Sequence, residues 1–228
     1  TARANVLRTL GRIYAQVDEP DEARRAVSAA IESSRRDTDP LTRGLVRVEA
    51  ARLCLGAGDP KAAREHLEAC SREGAAIESP LLAGCHAMWT FVADWREASR
   101  RSPELLAKAR NLLVSNGYRG ETIDLLLLEC EVEIEARGFD RAWALLAELK
   151  QLTREHKDPD LRAEAAYLIG RWHRDQGRDA EAAAWLSRAR AAALEKKKLR
   201  LVRLCAGAGA SVAAPSESRS APVTESSR

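Results

Sequence analysis

Residues 38–41 read TDPL, residues 78–81 read ESPL and residues 157–161 read KDPDL, so that prolines fall at Pro40, Pro80 and Pro159. The slot near 120, where a fourth would belong, holds Arg119, Gly120 and Glu121. The phrases mark a ruler of about forty residues. In each of them Asp39, Ser79 or Asp158 places a side-chain acceptor before a proline. Such an acceptor bonds the free amides of a first helical turn, and proline there gives up no needed hydrogen bond.

A second mark lies between the first ones: DEPDEA at 18–23, GDPKAA at 58–63, GFDRA at 138–142 and GRDAEA at 177–182. Each follows one apolar-periodic stretch and precedes another, and Gly58, Gly138 and Gly177 suit the left-handed position that ends a helix. The reading is five helical hairpins: 4–17 with 20–36, 40–56 with 60–75, 80–100 with 103–116, 121–137 with 140–156, and 160–176 with 179–205. One hairpin cannot bury its apolar stripe, whereas stacked neighbours share a continuous core. The predicted fold class is all-α, a solenoid of about five antiparallel hairpins over 1–205, in units 4–36, 40–75, 80–116, 121–156 and 160–205. Residues 206–228, rich in Ala, Gly, Ser and Pro, are expected to be a disordered tail.

The residues between the marks carry a resemblance. Leu7-x2-Leu10-Gly11-x2-Tyr14, then Ala23-x3-Val27-x2-Ala30, is similar to the tetratricopeptide repeat. Ala166-x2-Ile169-Gly170-x2-His173, then Ala182-x3-Leu186-x2-Ala189, repeats it at the same offsets. The second unit keeps Ala50-Ala51-x2-Cys54 and Ala63-x3-Leu67-x2-Cys70, and the fourth keeps Ala142-x3-Leu146-x2-Leu149. The third, holding Trp89, Phe91 and Trp95, is degenerate. A forty-residue period is longer than the usual 34 and also suits HEAT or armadillo repeats, but the Gly and Ala slots favour the tetratricopeptide reading. Such units resemble the sensor regions of large bacterial signalling proteins, where they follow a kinase or ATPase module.

Composition bounds the function. With 45% apolar and 31% charged residues, 37 basic against 34 acidic, and a net charge of +3, the chain lacks the excess of a nucleic-acid binder or polybasic anchor. Five cysteines at 54, 70, 85, 130 and 205 form no CxxC pair, and no signal peptide or long apolar span accompanies them, so a cytoplasmic setting is expected. No phosphate-binding loop, kinase signature or nucleophile elbow is present. Cys85-His86 is the one adjacent pair of soft ligands, but nothing at metal spacing joins it, and His66, His156 and His173 are scattered. No catalytic residue, metal or cofactor is expected.

The resemblance implies a concave surface lined by the first helix of each pair. Family phase puts Arg8, Arg12, Arg52, Met88, Trp95, Leu128, Tyr167, Arg171 and Arg174 there, a basic trough with apolar patches in which arginines fork onto the carboxylates of an acidic segment. Against this stand a solvated face without ligand and, for Trp95, a place in the core. The stretch EKKKLRLVR at 195–203 reads as a helix end or a partly apolar cap of the last repeat. The expected function is a protein-interaction scaffold with a protein or peptide partner. The alternative is the C-terminal sensor region of a multidomain kinase or ATP-dependent regulator whose catalytic part lies upstream of Thr1. A DNA-binding regulator is disfavoured, since no helix-turn-helix follows the repeats.

Overall fold

A computed structural model describes residues 2–35, 39–72, 79–98, 102–156 and 159–213. Every element among them is helical: α1 Ala2–Gln16, α2 Pro20–Ser34, α3 Pro40–Gly56, α4 Pro60–Arg72, α5 Pro80–Ala98, α6 Pro103–Ser115, α7 Arg119–Glu135, α8 Phe139–His156, α9 Pro159–Asp175, α10 Asp179–Glu195 and α11 Leu199–Ala213. Helix starts recur every twenty residues from 20 to 80 and again from 119 to 199. After α1, only α6, which starts at Pro103, lies off this grid.

Local chemistry explains the grid. Asp39 accepts from the amides of Leu41 and Thr42 at 3.1 and 3.2 Å, and Asp59 accepts from Ala62 at 2.9 Å, so two orphan helix ends are capped by side chains. Ser79 reaches Leu82 N at 3.4 Å, a weaker version. Asp158 lies outside the described residues. Helix ends are closed by one recurrent turn, in which an amide bonds the carbonyl five residues back: Glu19 to Tyr14, Asp59 to Cys54, Tyr118 to Leu113, Gly138 to Glu133, Arg178 to His173 and Lys198 to Ala193, all at 2.9–3.0 Å. The residue before each amide has positive φ: Asp18, Gly58, Gly117, Arg137, Gly177 and Lys197.

Two expectations are corrected by these turns. Gly138 is not the left-handed residue; Arg137 is, at φ 58, because α7 runs to Glu135 and the turn falls one place earlier. The last helix does not run unbroken from 179 to 205. Lys197, at φ 55, and the bond from Lys198 N to Ala193 O break it, and a separate α11 follows. α11 continues through the AGAGA stretch to Ala213, so the tail does not begin at 206, and residues 214–228 lie outside the described residues. Leu201, Cys205 and Ala208 give α11 a buried stripe, and Leu201 and Cys205 join a cluster with Ala189 and Ala193 of α10, which supplies the apolar burial that composition alone did not promise.

Each helix packs on its successor, and α1 also meets α3, α3 meets α5, α7 meets α9, and α9 meets α11. Within pairs the helices approach closely at small residues. A Cβ on Gly11 would come within 2.6 Å of Val27, and one on Gly170 within 2.8 Å of the Leu186 side chain and 3.2 Å of its amide nitrogen. A second crossing sets Ala4 with Ala30, Cys70 Sγ 3.9 Å from Gly44 O, Gly84 under Leu113, and Ala163 with Ala189. Trp172 donates its indole N–H to Phe139 O at 3.0 Å and stacks on half-exposed Trp143 at 4.5 Å, joining the fourth and fifth pairs. The first and last described helices meet: α11 touches α1, and Arg203 pairs with Asp18 at 3.0 Å.

Close approach gives a test by sign. Ala at Gly170 gains helix propensity but presses on the Leu186 backbone, and overpacking of this kind costs about 1–3 kcal/mol. Gly207, inside α11, has open space around its Cα. Thermal denaturation should show Gly170→Ala lowering Tm and Gly207→Ala raising it by up to about 1 kcal/mol of stability.

Candidate functional site

Because the odd-numbered helices lie side by side, they jointly wall a cavity of about 430 Å³. α1 contributes Ala15 and Gln16, α3 Arg52 and Leu55, and α5 Trp89, Val92 and Arg96. α7 adds Asp124, Leu127, Leu128 and Glu131, α9 Glu164, Tyr167 and Leu168, and α11 Arg200, Leu201 and Leu204. No even-numbered helix lines it. Its walls are largely apolar, with charges of both signs at intervals.

Several charges in and beside the cavity are paired, within one helix or between odd helices. Glu49 of α3 is 2% exposed and receives Arg12 of α1 at 2.9 Å and Arg52 at 2.7 Å. Burial alone would raise its carboxyl, but Arg52 and Arg12, with their hydrogen bonds, outweigh it and hold the group below its ordinary value. Arg96 of α5 reaches Glu131 of α7 at 3.4 Å, and Arg171 of α9 reaches Glu131 at 3.4 Å and Glu135 at 3.5 Å. The Lys198 ammonium meets Glu164 at 2.8 Å. Asp124 differs: no hydrogen bond or ion pair reaches it from the described residues, and burial raises its carboxyl pKa against the pull of Arg52 and Arg12.

The residues expected in a concave trough divide into three groups. Arg52, Leu128 and Tyr167 line the cavity. Met88 and Trp95 are core residues at 1% and 7% exposure, in a cluster with Phe91 and Leu113, because α5 is longer and more apolar than its counterparts and is covered on more sides. Arg12, Arg171 and Arg174 are occupied by carboxylates on Glu49, Glu131 with Glu135, and Asp175, while half-buried Arg8 sits beside Glu49 without lining the cavity. The trough is therefore charge-compensated. Neighbouring odd helices bring their own carboxylates, at positions that one-helix phase reasoning does not pair. Asp124, Trp89 and the α11 residues were missed because one-helix reasoning shows neither how the odd helices assemble around a cavity nor that α11 returns to α1.

No group of three potential metal ligands occurs among the described residues. His86 lies 3.0 Å from Leu67 O and 2.9 Å from Ser71, and burial lowers its pKa. His173 is lowered by burial and by Arg178, and His66 by burial and by Arg47. The side chain of His156 lies outside the described residues. Burial pushes the thiols of Cys85 and Cys130 up to about 12 and that of Cys205 to about 11, far from the thiolate range. No described helix is long and apolar enough to cross a membrane. Comparison with known protein families, curated proteins and solved structures gives no match.

The two buried carboxyls make opposite predictions. A depressed carboxyl contributes stability above its ordinary value, near 4.5 for Glu49, and loses that contribution as pH falls through the folded value. Glu49→Gln should destabilise at pH 7 by an amount at the low end of the roughly 3–5 kcal/mol seen for broken buried pairs, since Arg12 is partly exposed. That gap should close in acid. Asp124, raised, contributes stability only at low pH and loses it as pH rises through the folded value, so Asp124→Asn should raise Tm at pH 7 and leave it unchanged in acid. Denaturation of both variants between pH 3 and 8 checks the pair.

Proposed function

We propose that the chain is a tetratricopeptide-like solenoid acting as a protein-interaction module, with no chemistry of its own, whose docking site is the cavity inside the odd helices. One observation carries this reading: five helix pairs and α11 each contribute an odd helix to a single cavity, as concave-groove binding requires. The repeat signature at Gly11, Val27, Gly170 and Leu186, where close helix approach is observed, supports the family assignment. A volume of about 430 Å³ lies within the roughly 300–1,000 Å³ of ligand clefts and suits a few side chains of a bound segment. Since Arg52 and Arg96 are already paired, while Arg200 and Asp124 have no ion pair among the described residues, the preferred segment has an apolar anchor flanked by both charge signs, not an acidic run. A preformed surface spares the ordering entropy of docking. Five free thiols, four of them buried, support a cytoplasmic setting.

Selection of displayed peptides on the intact chain tests the reading. Leu204 lines the cavity and is 41% exposed, so Leu204→Glu should keep the helical signal. Selected peptides should share an apolar anchor and lose about tenfold or more in affinity for Leu204→Glu, as for removal of a central contact. Peptides that bind the variant equally, or a selection that enriches none, would sink the proposal.

A further inference from the structure

A second cleft, of about 350 Å³, lies between α8, α9 and α10 and shares no residue with the central cavity. Four cations border it: Lys150 and Arg154 from α8, Arg162 from α9 and Arg188 from α10. No acidic residue lines it, and none of the four has an ion pair with any described residue. In the central cavity, by contrast, Arg52, Arg96 and Lys198 each have a carboxylate partner. The side chains of these four cations border a largely apolar lining, with Arg154 and Arg162 exposed at its rim, so an anion held at the mouth of the cleft gains from each head it reaches.

The cleft also has an aromatic wall. Half-buried Trp185 holds Lys150 Nζ at 5.9 Å and Arg188 Cζ at 5.0 Å from its ring centroid, so the indole quadrupole gathers two of the cations at the cleft. Ala165, Ala166, Ile169 and Ala192 complete an apolar lining. A ligand matching this surface has a compact multiple charge with several acceptor oxygens at one end and an apolar or flat body at the other. A phosphate monoester has those properties: near −2 in charge, with three strong acceptors suited to guanidinium forks. These four cations border one bounded cleft on a chain whose net charge is only +3, which favours a small ligand over a nucleic-acid strand.

We propose that the cleft between α8, α9 and α10 binds a small aromatic phosphate monoester of the nucleoside monophosphate kind, with the phosphate among Lys150, Arg154, Arg162 and Arg188 and the organic body against Trp185 and the apolar lining. The site is independent of the central cavity, so Leu204→Glu leaves it intact.

Isothermal titration of the full chain with AMP, adenosine and inorganic phosphate tests it at low salt. AMP should bind, phosphate should bind more weakly, and adenosine should not bind measurably. Raising salt from about 50 to about 500 mM should weaken AMP binding, as for a contact dominated by charge. Arg154 and Arg162 are exposed, so the double variant Arg154→Gln with Arg162→Gln should keep the fold and lose about tenfold or more in AMP affinity. Trp185→Leu, with its helical signal checked, should narrow the preference of AMP over phosphate. The proposal is overturned by no AMP binding at millimolar concentration, by unchanged affinity in the double variant, by phosphate binding as tightly as AMP, or by binding of an oligonucleotide without binding of AMP.

Discussion

The close approach of the two helices in each pair is the constraint on which the rest of this structure depends. At one crossing a residue of the odd helix faces an aliphatic one of the even helix: Gly11 with Val27, Gly170 with Leu186, and Ala51 and Leu67 in one cluster. At the second the sizes compensate. Ala30 and Ala189 are met by Ala4 and Ala163, but where the even helix carries Cys70 or Leu113 the odd helix has Gly44 or Gly84. Close-packed interiors permit this kind of exchange and little else. With the pairs drawn tight, Ala63, Ala142 and Ala182 reach full burial and each pair offers its neighbour a flat apolar side.

Tight pairs in sequential order bring odd helices alongside one another, and that placement governs the electrostatics. A carboxylate as buried as Glu49 is tolerable only because two guanidinium groups from adjacent turns of two helices satisfy it. Arg96, Glu131, Arg171 and Glu135 extend the same logic across α5, α7 and α9. The inner surface is thus polar in detail and near neutral in sum. The cleft beside Trp185 departs from this economy of charge, and the contrast within one molecule gives that departure its weight.

Much of the helical layout was legible in the sequence because its signals are local. Pro20, Pro40, Pro60, Pro80, Pro103 and Pro159 each open a helix, and an N-terminal proline says so without help from tertiary context. The end of a helix is less legible. Asp18, Arg137 and Lys197 adopt left-handed backbone without being glycine, so the eye is drawn to Gly138 and misses the break after Glu195. Residues from 206 onward read as tail because their small side chains promise little burial, yet the helix that holds Leu201 and Cys205 against Ala189 and Ala193 of α10 continues through them and buries Ala208. The candidate site was legible only to the extent of choosing odd helices. That Arg12, Arg96 and Arg171 are neutralised, and that Met88 and Trp95 are covered, depends on partners far along the chain, whereas Arg52 and Arg174 find carboxylates on their own helices.

The pairing of Arg203 with Asp18 joins residues at nearly opposite ends of the described chain. Most helix contacts here are between neighbours, and a stack built only of such contacts behaves as a one-dimensional array, in which any unit can fray without consulting the others. Bringing α11 back to α1 turns that open array into a bracelet with a clasp. The clasp is a solvent-facing ion pair, weak by nature, so the bracelet fastens without locking.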